Sequence, residues 1–191
     1  MSIPLVRARH MKELLASVDR LPPDRARSIR AVIDGEHLRA IADAPTIAWL
    51  PLDANLALAR ALNAVLGPSG SHRFHRAHFA NVLQGPILGT LLRGALAVYG
   101  PDPSRWMRLL PAAWDLLFRH CGSWTIGNGT PARVEMLLQD LPPGCVVDRV
   151  WPTTVASSIA ATLDLAKRDG HVDVLDVDGA ARHVRYELRW T

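Results

Sequence analysis

The stretch "WPTTVASSIAATLDLAKRDGHVDVLDVDGAARHVRYELRW", residues 151–190, decides the fold. Its first half is rich in Ala, Ser, Thr and Leu and has Pro152 near its start, which predicts a helix that stops at Gly170. Its second half alternates apolar and polar residues on both sides of Asp178-Gly179, which predicts a β-hairpin. The end of the chain is therefore a helix followed by two antiparallel strands.

A second hairpin is predicted just upstream of this helix. The segment "SWTIGNGTPARVEMLLQDLPPG", residues 123–144, holds two extended runs around Gly127-Asn128-Gly129, a sequence typical of a tight turn. The two hairpins can form one antiparallel sheet of roughly four strands that is covered on one face by helices.

The part of the chain before this sheet is mainly helical. Apolar residues recur at helical spacing, and one segment, "TIAWLPLD", is extended. A helix is predicted from Pro86 to Gly100, and Pro111 should kink or divide the next one. The fold class is α+β: an N-terminal helical bundle packed on a hairpin-helix-hairpin sheet. We expect a single domain, 1–191, with a mainly helical half over 1–121 and the sheet half over 122–191.

Composition excludes several classes of protein. With 49% apolar and 21% charged residues, the 191-residue chain is globular, and its two cysteines form no CxxC pair for zinc. No apolar run is long enough to cross a bilayer and the N-terminus lacks a signal-peptide core, so we expect a cytoplasmic protein. The basic segments show no helix-turn-helix and no interleaved aromatic residues, so nucleic acid is not an expected partner.

The segment "SHRFHRAHF", residues 71–79, carries His72, His75 and His78 three residues apart. The spacing of four that brings two histidines over one metal ion on a helix is missing. On a helical wheel all three histidines share a side with Phe74 and Phe79. This pattern is compatible with imidazoles at the edge of the core, with a pocket-lining or pH-sensing role, and with a metal site completed by other residues.

Aromatic residues form the other candidate site. Trp106 and Trp114 lie eight residues apart on one helix face, with Phe118 following them. They either build a packed aromatic core or line an apolar ligand pocket between helices and sheet together with Phe74, His75, His78 and Phe79. The sequence has no nucleophile elbow, phosphate-binding loop or dinucleotide fingerprint, so an enzyme is not the favoured reading and we name no catalytic residue.

The order of elements, with "WPTTVASSIAATLDLAKRDGHVDV" followed by a charged hairpin ending in "YELRW", resembles a paralogous family of unknown function that is expanded in myxobacteria. That family is distantly similar to the 4-vinyl reductase domain, the haem-NO-binding domain and the TRAPP transport subunits. The resemblance implies a helical half joined to a hairpin-helix-hairpin sheet, and a small-ligand sensor or protein-interaction subunit that is commonly dimeric.

The resemblance also raises the question of haem. Haem-NO-binding domains use an axial histidine on a helix, which His120 could imitate, and a Tyr-x-Ser-x-Arg motif, which "YGPDPSR", residues 99–105, does not reproduce. We therefore predict no cofactor, with neither haem nor a metal at His72, His75, His78 or His120.

The function predicted from the sequence is a non-enzymatic sensing or interaction domain. It would bind a small apolar or amphipathic molecule between helices and sheet, form a homodimer, and act on a signalling or regulatory protein. The alternatives are a dimeric scaffold with a filled core and, third, a haem or metal sensor or an unrecognised enzyme.

Overall fold

The computed structural model of the protein describes residues 2–85, 89–90, 94, 100, 102–127, 129–130 and 132–191. The helical half contains β1 (Leu5–Arg7), α1 (Ala8–Asp19), α2 (Pro23–Val32), α3 (Gly35–Asp43), β2 (Trp49–Pro51), α4 (Asp53–Gln84), α5 (Pro103–Met107) and α6 (Leu110–Leu117). The sheet half contains β3 (Phe118–Arg119), β4 (Ser123–Ile126), β5 (Arg133–Gln139), α7 (Val150–Ala166), β6 (Gly170–Asp178) and β7 (His183–Trp190).

The main sheet has the strand order β4-β5-β7-β6, and every neighbouring pair is antiparallel. Both predicted hairpins are present, β4 with β5 and β6 with β7, and a register shift between Val174 and Asp176 marks a bulge in β6. Alternate residues of β5 are buried, as the apolar and polar alternation requires. The predicted α+β fold class, a helical half on a hairpin-helix-hairpin sheet, is confirmed.

Gly170 has a different role from the predicted one. Helix α7 ends at Ala166, and Lys167 takes the left-handed conformation that stops it, with φ 53° and ψ 44°. Gly170 is instead the first residue of β6 and lies opposite Trp190. A Cβ atom at this position would lie 2.1 Å from the carbonyl oxygen of Arg189, so the close approach of two strands requires a glycine here.

A small second sheet joins the N-terminus to the end of the helical half. Its order is β2-β1-β3, and only β2 lies in a segment predicted to be extended. The guanidinium carbons of Arg7 and Arg119 lie 3.9 and 4.2 Å from the ring centroid of Trp49. These cation–π contacts hold three short strands together where hydrogen bonds alone are few.

Two helices are interrupted where the sequence indicates. Helix α4 is broken at Gly67, which has φ 72° and precedes Pro68. Pro111 divides the predicted tryptophan helix into α5 and α6, where it occupies the first turn of α6. The helix predicted from Pro86 to Gly100 falls mostly outside the described residues.

Helix α7 lies between α4 and the main sheet. Its buried residues are mostly small, including Ala156, Ala160 and Ala161, which lets the neighbouring backbones approach closely. The ion pair Arg76–Asp164, 2.7 Å, links α4 to α7 at the surface. Among the described residues, none of the helices has the length and apolar character needed to cross a membrane.

The glycine at the start of β6 gives the first prediction. Gly170→Ala should lower the free energy of unfolding by about 2 kcal/mol or more, because the added methyl group meets backbone atoms that cannot move alone. Gly35→Ala is the matched control, since no atom lies within 4 Å of its Cβ position, and it should be neutral or stabilising by up to about 1 kcal/mol. Urea denaturation measures both, and equal effects would contradict the packing described.

Candidate functional site

A cavity of about 110 Å³ lies between the helical half and the sheet half. It is lined by side chains from α1, α4, α5, α6, β3, β4 and α7. Most of its walls are apolar, and its aromatic residues are Phe79, Trp106, Trp114, Phe118, Trp124 and Trp151. The cavity therefore has the apolar walls that are typical of a small-molecule site.

Trp114 is the centre of the aromatic wall. Its ring is stacked on Phe118 at a centroid distance of 4.2 Å, and it meets Trp124 and Trp151 edge to face at 5.6 and 5.9 Å. All four side chains are at most 8% exposed. Such offset and edge-to-face contacts are the favoured arrangements of aromatic pairs, so the four rings form one continuous part of the cavity wall.

Three histidines face the cavity from the helical side: His10 on α1, and His75 and His78 on α4. Each is at most 7% exposed. Nδ1 of His10, Nε2 of His75 and Nε2 of His78 are buried and make no hydrogen bond to any described protein atom. Buried polar atoms are hydrogen-bonded in most native proteins, so three such imidazole nitrogens at one cavity require an explanation.

The hydrogen bonds of Ser17 indicate which ring nitrogen of His78 carries the proton. Ser17 Oγ donates its one proton to the carbonyl oxygen of Glu13 at 3.0 Å, and it accepts from Arg20 at 2.7 Å. Nδ1 of His78 lies 2.9 Å from the same oxygen, and with the Ser17 proton assigned to Glu13 this nitrogen is the donor in that contact. Nε2 of His78 then carries a free lone pair at the cavity, where it can accept a hydrogen bond or bind a metal.

The three histidines are neutral in the folded protein. Burial is the main cause and lowers the pKa of His10 to about 4, that of His75 to about 3 and that of His78 to about 2. The neighbouring imidazoles and, for His78, the charge of Arg20 act in the same direction, whereas Glu13 opposes the shift at His10. Neutral imidazoles present lone pairs and N–H donors rather than positive charge to the cavity.

Two indole groups add unpartnered donors to the same cavity. Nε1 of Trp114 and Nε1 of Trp124 are buried without a hydrogen bond to any described protein atom. In contrast, Trp151 donates to Asn55 Oδ1 at 3.0 Å, and Trp106 donates to the carbonyl oxygen of Gly100 at 2.7 Å. Each buried polar group without a partner costs about 1–3 kcal/mol, so a cavity with five of them favours a partner that carries polar atoms.

The remaining predicted site residues lie elsewhere. Phe74 does not line the cavity; its ring stacks on that of His78 at a centroid distance of 6.4 Å from the outer side. His72 is half-buried and contacts Ser157 Oγ through Nδ1 at 2.8 Å. His120 is exposed in a turn with φ 54°, beyond the end of α6, so the expectation that it sits on a helix is wrong.

None of the described residues that line the cavity is a cysteine. Burial raises the pKa of the Cys121 thiol to about 11, which leaves it protonated at neutral pH. Among the described residues, no group of three histidine, cysteine, aspartate or glutamate side chains has the arrangement of a metal site.

The cavity residues that the sequence did not predict include four with nitrogen-bearing side chains: His10, Asn55, Trp124 and Trp151. His10 shares the apolar face of α1 with Leu14, four residues later, so the helical wheel that selected His75 would also have found it. Asn55, Trp124 and Trp151 come from three separate elements, and only the tertiary fold brings them together.

Comparison with known proteins gives the fold a name. No family model matches the sequence, and no curated protein is similar to it by sequence. The Fe(II) unliganded H-NOX protein from K. algicida superposes with a TM-score of 0.66 at 11% identity, over 97% of this chain and 96% of that chain.

Two further H-NOX structures are also similar. One, from a study of haem distortion in the H-NOX family, has a TM-score of 0.60 at 10% identity, over 97% of this chain and 94% of that chain. The other is an oxygen-binding H-NOX domain related to soluble guanylate cyclases, in complex with oxygen. It has a TM-score of 0.57 at 9% identity, over 97% of this chain and 95% of that chain. The chain thus has an H-NOX-like fold.

This finding overturns the prediction that the chain has no cofactor. The expectation rested on the absence of the Tyr-x-Ser-x-Arg motif, but the fold is one whose solved structures are described with haem, Fe(II) and oxygen. The likeness to haem-NO-binding domains is confirmed at the level of the fold, whereas the resemblance to the myxobacterial family stays a prediction.

The described residues meet only part of what a haem needs. The neutral imidazoles supply suitable iron ligands, above all Nε2 of His78. However, the cavity holds about 110 Å³, while sites for drug-sized ligands span roughly 300–1,000 Å³. None of the described residues that line it is a lysine or an arginine that could pair with the propionates. As placed, the walls do not fit a haem.

The buried histidines predict a dependence of stability on pH. Because their pKa values are lowered on folding, the unfolded chain binds protons below about pH 6.5 that the folded chain does not. Stability should be greatest above pH 6.5 and fall below it, by up to about 4 kcal/mol per pH unit if all three titrate fully. Urea denaturation between pH 7.5 and 5 measures this slope.

The variant His75→Leu should reduce that slope by about one third, since one of three proton acceptors is removed. The exposed His120 serves as the control, and His120→Leu should keep the slope of the unchanged protein. A slope that is the same in all three proteins would contradict the neutral, buried state of His75.

Proposed function

We propose that this chain is a ligand-sensing domain that binds a small, mainly apolar molecule carrying a hydroxyl group in its aromatic cavity. The observation that carries the proposal is the set of five buried and unpartnered nitrogen atoms on residues around one cavity. The H-NOX-like fold supports it, because the similar structures include one in complex with oxygen. A change at the cavity would reach the protein surface through α1 and α4.

The chemistry of the walls selects the kind of ligand. The lone pair on Nε2 of His78 needs a donor, whereas the indole N–H groups of Trp114 and Trp124 need acceptors. A hydroxyl group serves both, because it has one proton and two lone pairs. A cavity of about 150 Å³ binds benzene, so a cavity of about 110 Å³ limits the ligand to a small molecule no larger than about a single ring.

Partners of the domain belong to the same proposal. We expect a homodimer formed through the helical half, where Ile3, Val32 and Ile47 are 67%, 61% and 80% exposed. A second surface would contact a signalling or regulatory protein. Sedimentation equilibrium separates the dimer from the 20.9 kDa monomer, and a mass that stays monomeric at high concentration would contradict the dimer.

Phenol and benzene make a matched pair of probes for the cavity. Phenol should bind about tenfold more tightly than benzene, because its hydroxyl group satisfies buried polar atoms that benzene leaves unpartnered. The double variant His75→Leu/His78→Leu removes two of these five atoms while keeping apolar bulk, and it should show a smaller preference for phenol over benzene than the unchanged protein. Chemical shift perturbation of the indole N–H signals measures both affinities.

The control for this experiment is His120→Leu, which removes an exposed imidazole that does not line the cavity and should keep the preference for phenol. If the unchanged protein binds neither probe, the ligand-sensing proposal is contradicted and the scaffold with a filled core is favoured. An undiminished preference in the double variant would show that the two imidazoles do not contact the ligand.

Haem sensing is the second candidate, and it is favoured by the fold and by the free lone pair of His78. Its requirement is that the aromatic side chains around Trp106 and Trp114 move apart, since the cavity is too small as it stands. The residues that could hold the iron are His10, His75 and His78, whose neutral imidazoles face the cavity.

An absorption spectrum of the purified protein, before and after addition of one equivalent of haemin, tests this candidate. A haem protein should show a sharp Soret band that His78→Ala shifts or abolishes and that His120→Ala leaves unchanged. A broad band of free haemin in every protein, with no sign of specific ligation, would eliminate haem. Native mass spectrometry of the same sample would report any other molecule that copurifies.

A further inference from the structure

A second opening lies on the outer side of His78. It is a surface groove of about 520 Å³ between the α1–α2 corner and the second half of α4. Phe74 and His78 form its inner wall, and Arg20, Arg25 and Arg73 surround it. Phe74, predicted as a pocket residue, thus lines this groove rather than the aromatic cavity.

The charge of the groove is not neutralised by its surroundings. Its described lining contains three arginines and no aspartate or glutamate. The nearest acidic residues along the chain, Asp19 and Asp24, lie outside the lining and pair with Arg30 and Arg27.

The contacts of the three arginines leave their charges available. Arg20 donates to the hydroxyl of Ser17, and Arg25 donates to the carbonyl oxygen of Val65. Arg73 makes no ion pair with any residue that the structure describes. Guanidinium groups that face a common space without a carboxylate partner form a site of positive potential for an anion.

The groove also has an apolar part. Leu21, Leu66 and Phe74 lie beside the three arginines, and the volume falls within the roughly 300–1,000 Å³ of small-molecule sites. An inorganic ion would contact only the guanidinium groups. A carboxylate or phosphate attached to an apolar body would use both parts of the groove.

We propose that this groove binds an organic anion, a carboxylate or a phosphate monoester, whose charged group is held by Arg20, Arg25 and Arg73. The planar guanidinium group suits both because it can donate two parallel hydrogen bonds to either kind of oxygen pair.

The groove is connected to the aromatic cavity through one short chain of contacts. Arg20 donates to Ser17 Oγ, which also accepts from Nδ1 of His78, and the other face of His78 borders the cavity. An anion bound to Arg20 would therefore affect the hydrogen bond between Ser17 Oγ and Nδ1 of His78. Binding of an anion in the groove and binding of a ligand in the cavity would thus influence each other.

The experiment is calorimetric titration of the full chain at low salt with phenyl phosphate and with benzoate. Phenyl phosphate, benzoate or both should bind in the groove, and the anion that binds identifies the head group. Arg73→Gln should weaken anion binding by at least about tenfold, and higher salt should weaken it further.

Arg39→Gln is the matched control, because it removes one exposed positive charge from α3, outside the groove lining, and should leave anion binding unchanged. The proposal is overturned if neither anion binds, or if Arg73→Gln binds the anions like the unchanged protein. It also fails if Arg39→Gln weakens binding as much as Arg73→Gln. Phenol binding in the cavity should be unaffected by Arg73→Gln, which separates this test from that of the proposed function.

Discussion

The packing of α7 against α4 is the contact on which the rest of the structure depends. Small residues on α7 let it approach α4 closely, while its other side covers β6 and β7. The contact of His72 with Ser157 and the ion pair of Arg76 with Asp164 fix the two helices along their length. This arrangement sets the distance between helices and sheet, and the aromatic cavity is the space that remains beside it.

The polar atoms around that cavity lower the stability of the fold. A core filled by leucines would be more stable than one that holds neutral imidazoles and indole N–H groups without partners, because each such group costs free energy. Five of the six such atoms among the described residues belong to residues that line this one cavity, which favours the proposed binding site over imperfect packing. The same histidines should make the fold less stable in acid. The H-NOX-like fold places this chemistry in a setting where solved structures are described with haem and oxygen, although the walls would have to separate for a haem.

Local patterns predicted the framework well because strands, turns and helix breaks depend on neighbouring residues. The hairpin at Asp178-Gly179 and the division at Pro111 follow from turn and proline chemistry alone. The role of Gly170 does not follow from local sequence, because it depends on the close approach of Arg189 from another strand. The helical wheel placed His75 and His78 on the correct side, but whether that side meets packed core or open space depends on Trp124 and Trp151, which are distant in sequence.

The central claim is that the unpartnered atoms around the cavity are partners of a bound molecule. A high-resolution crystal structure of the protein, purified without added ligand and then soaked with phenol, tests it most directly. The account predicts density for a molecule larger than water in the cavity, with an atom within hydrogen-bonding distance of Nε2 of His78. Density that shows side chains closing the cavity, or ordered waters alone that persist in the presence of phenol, would contradict it.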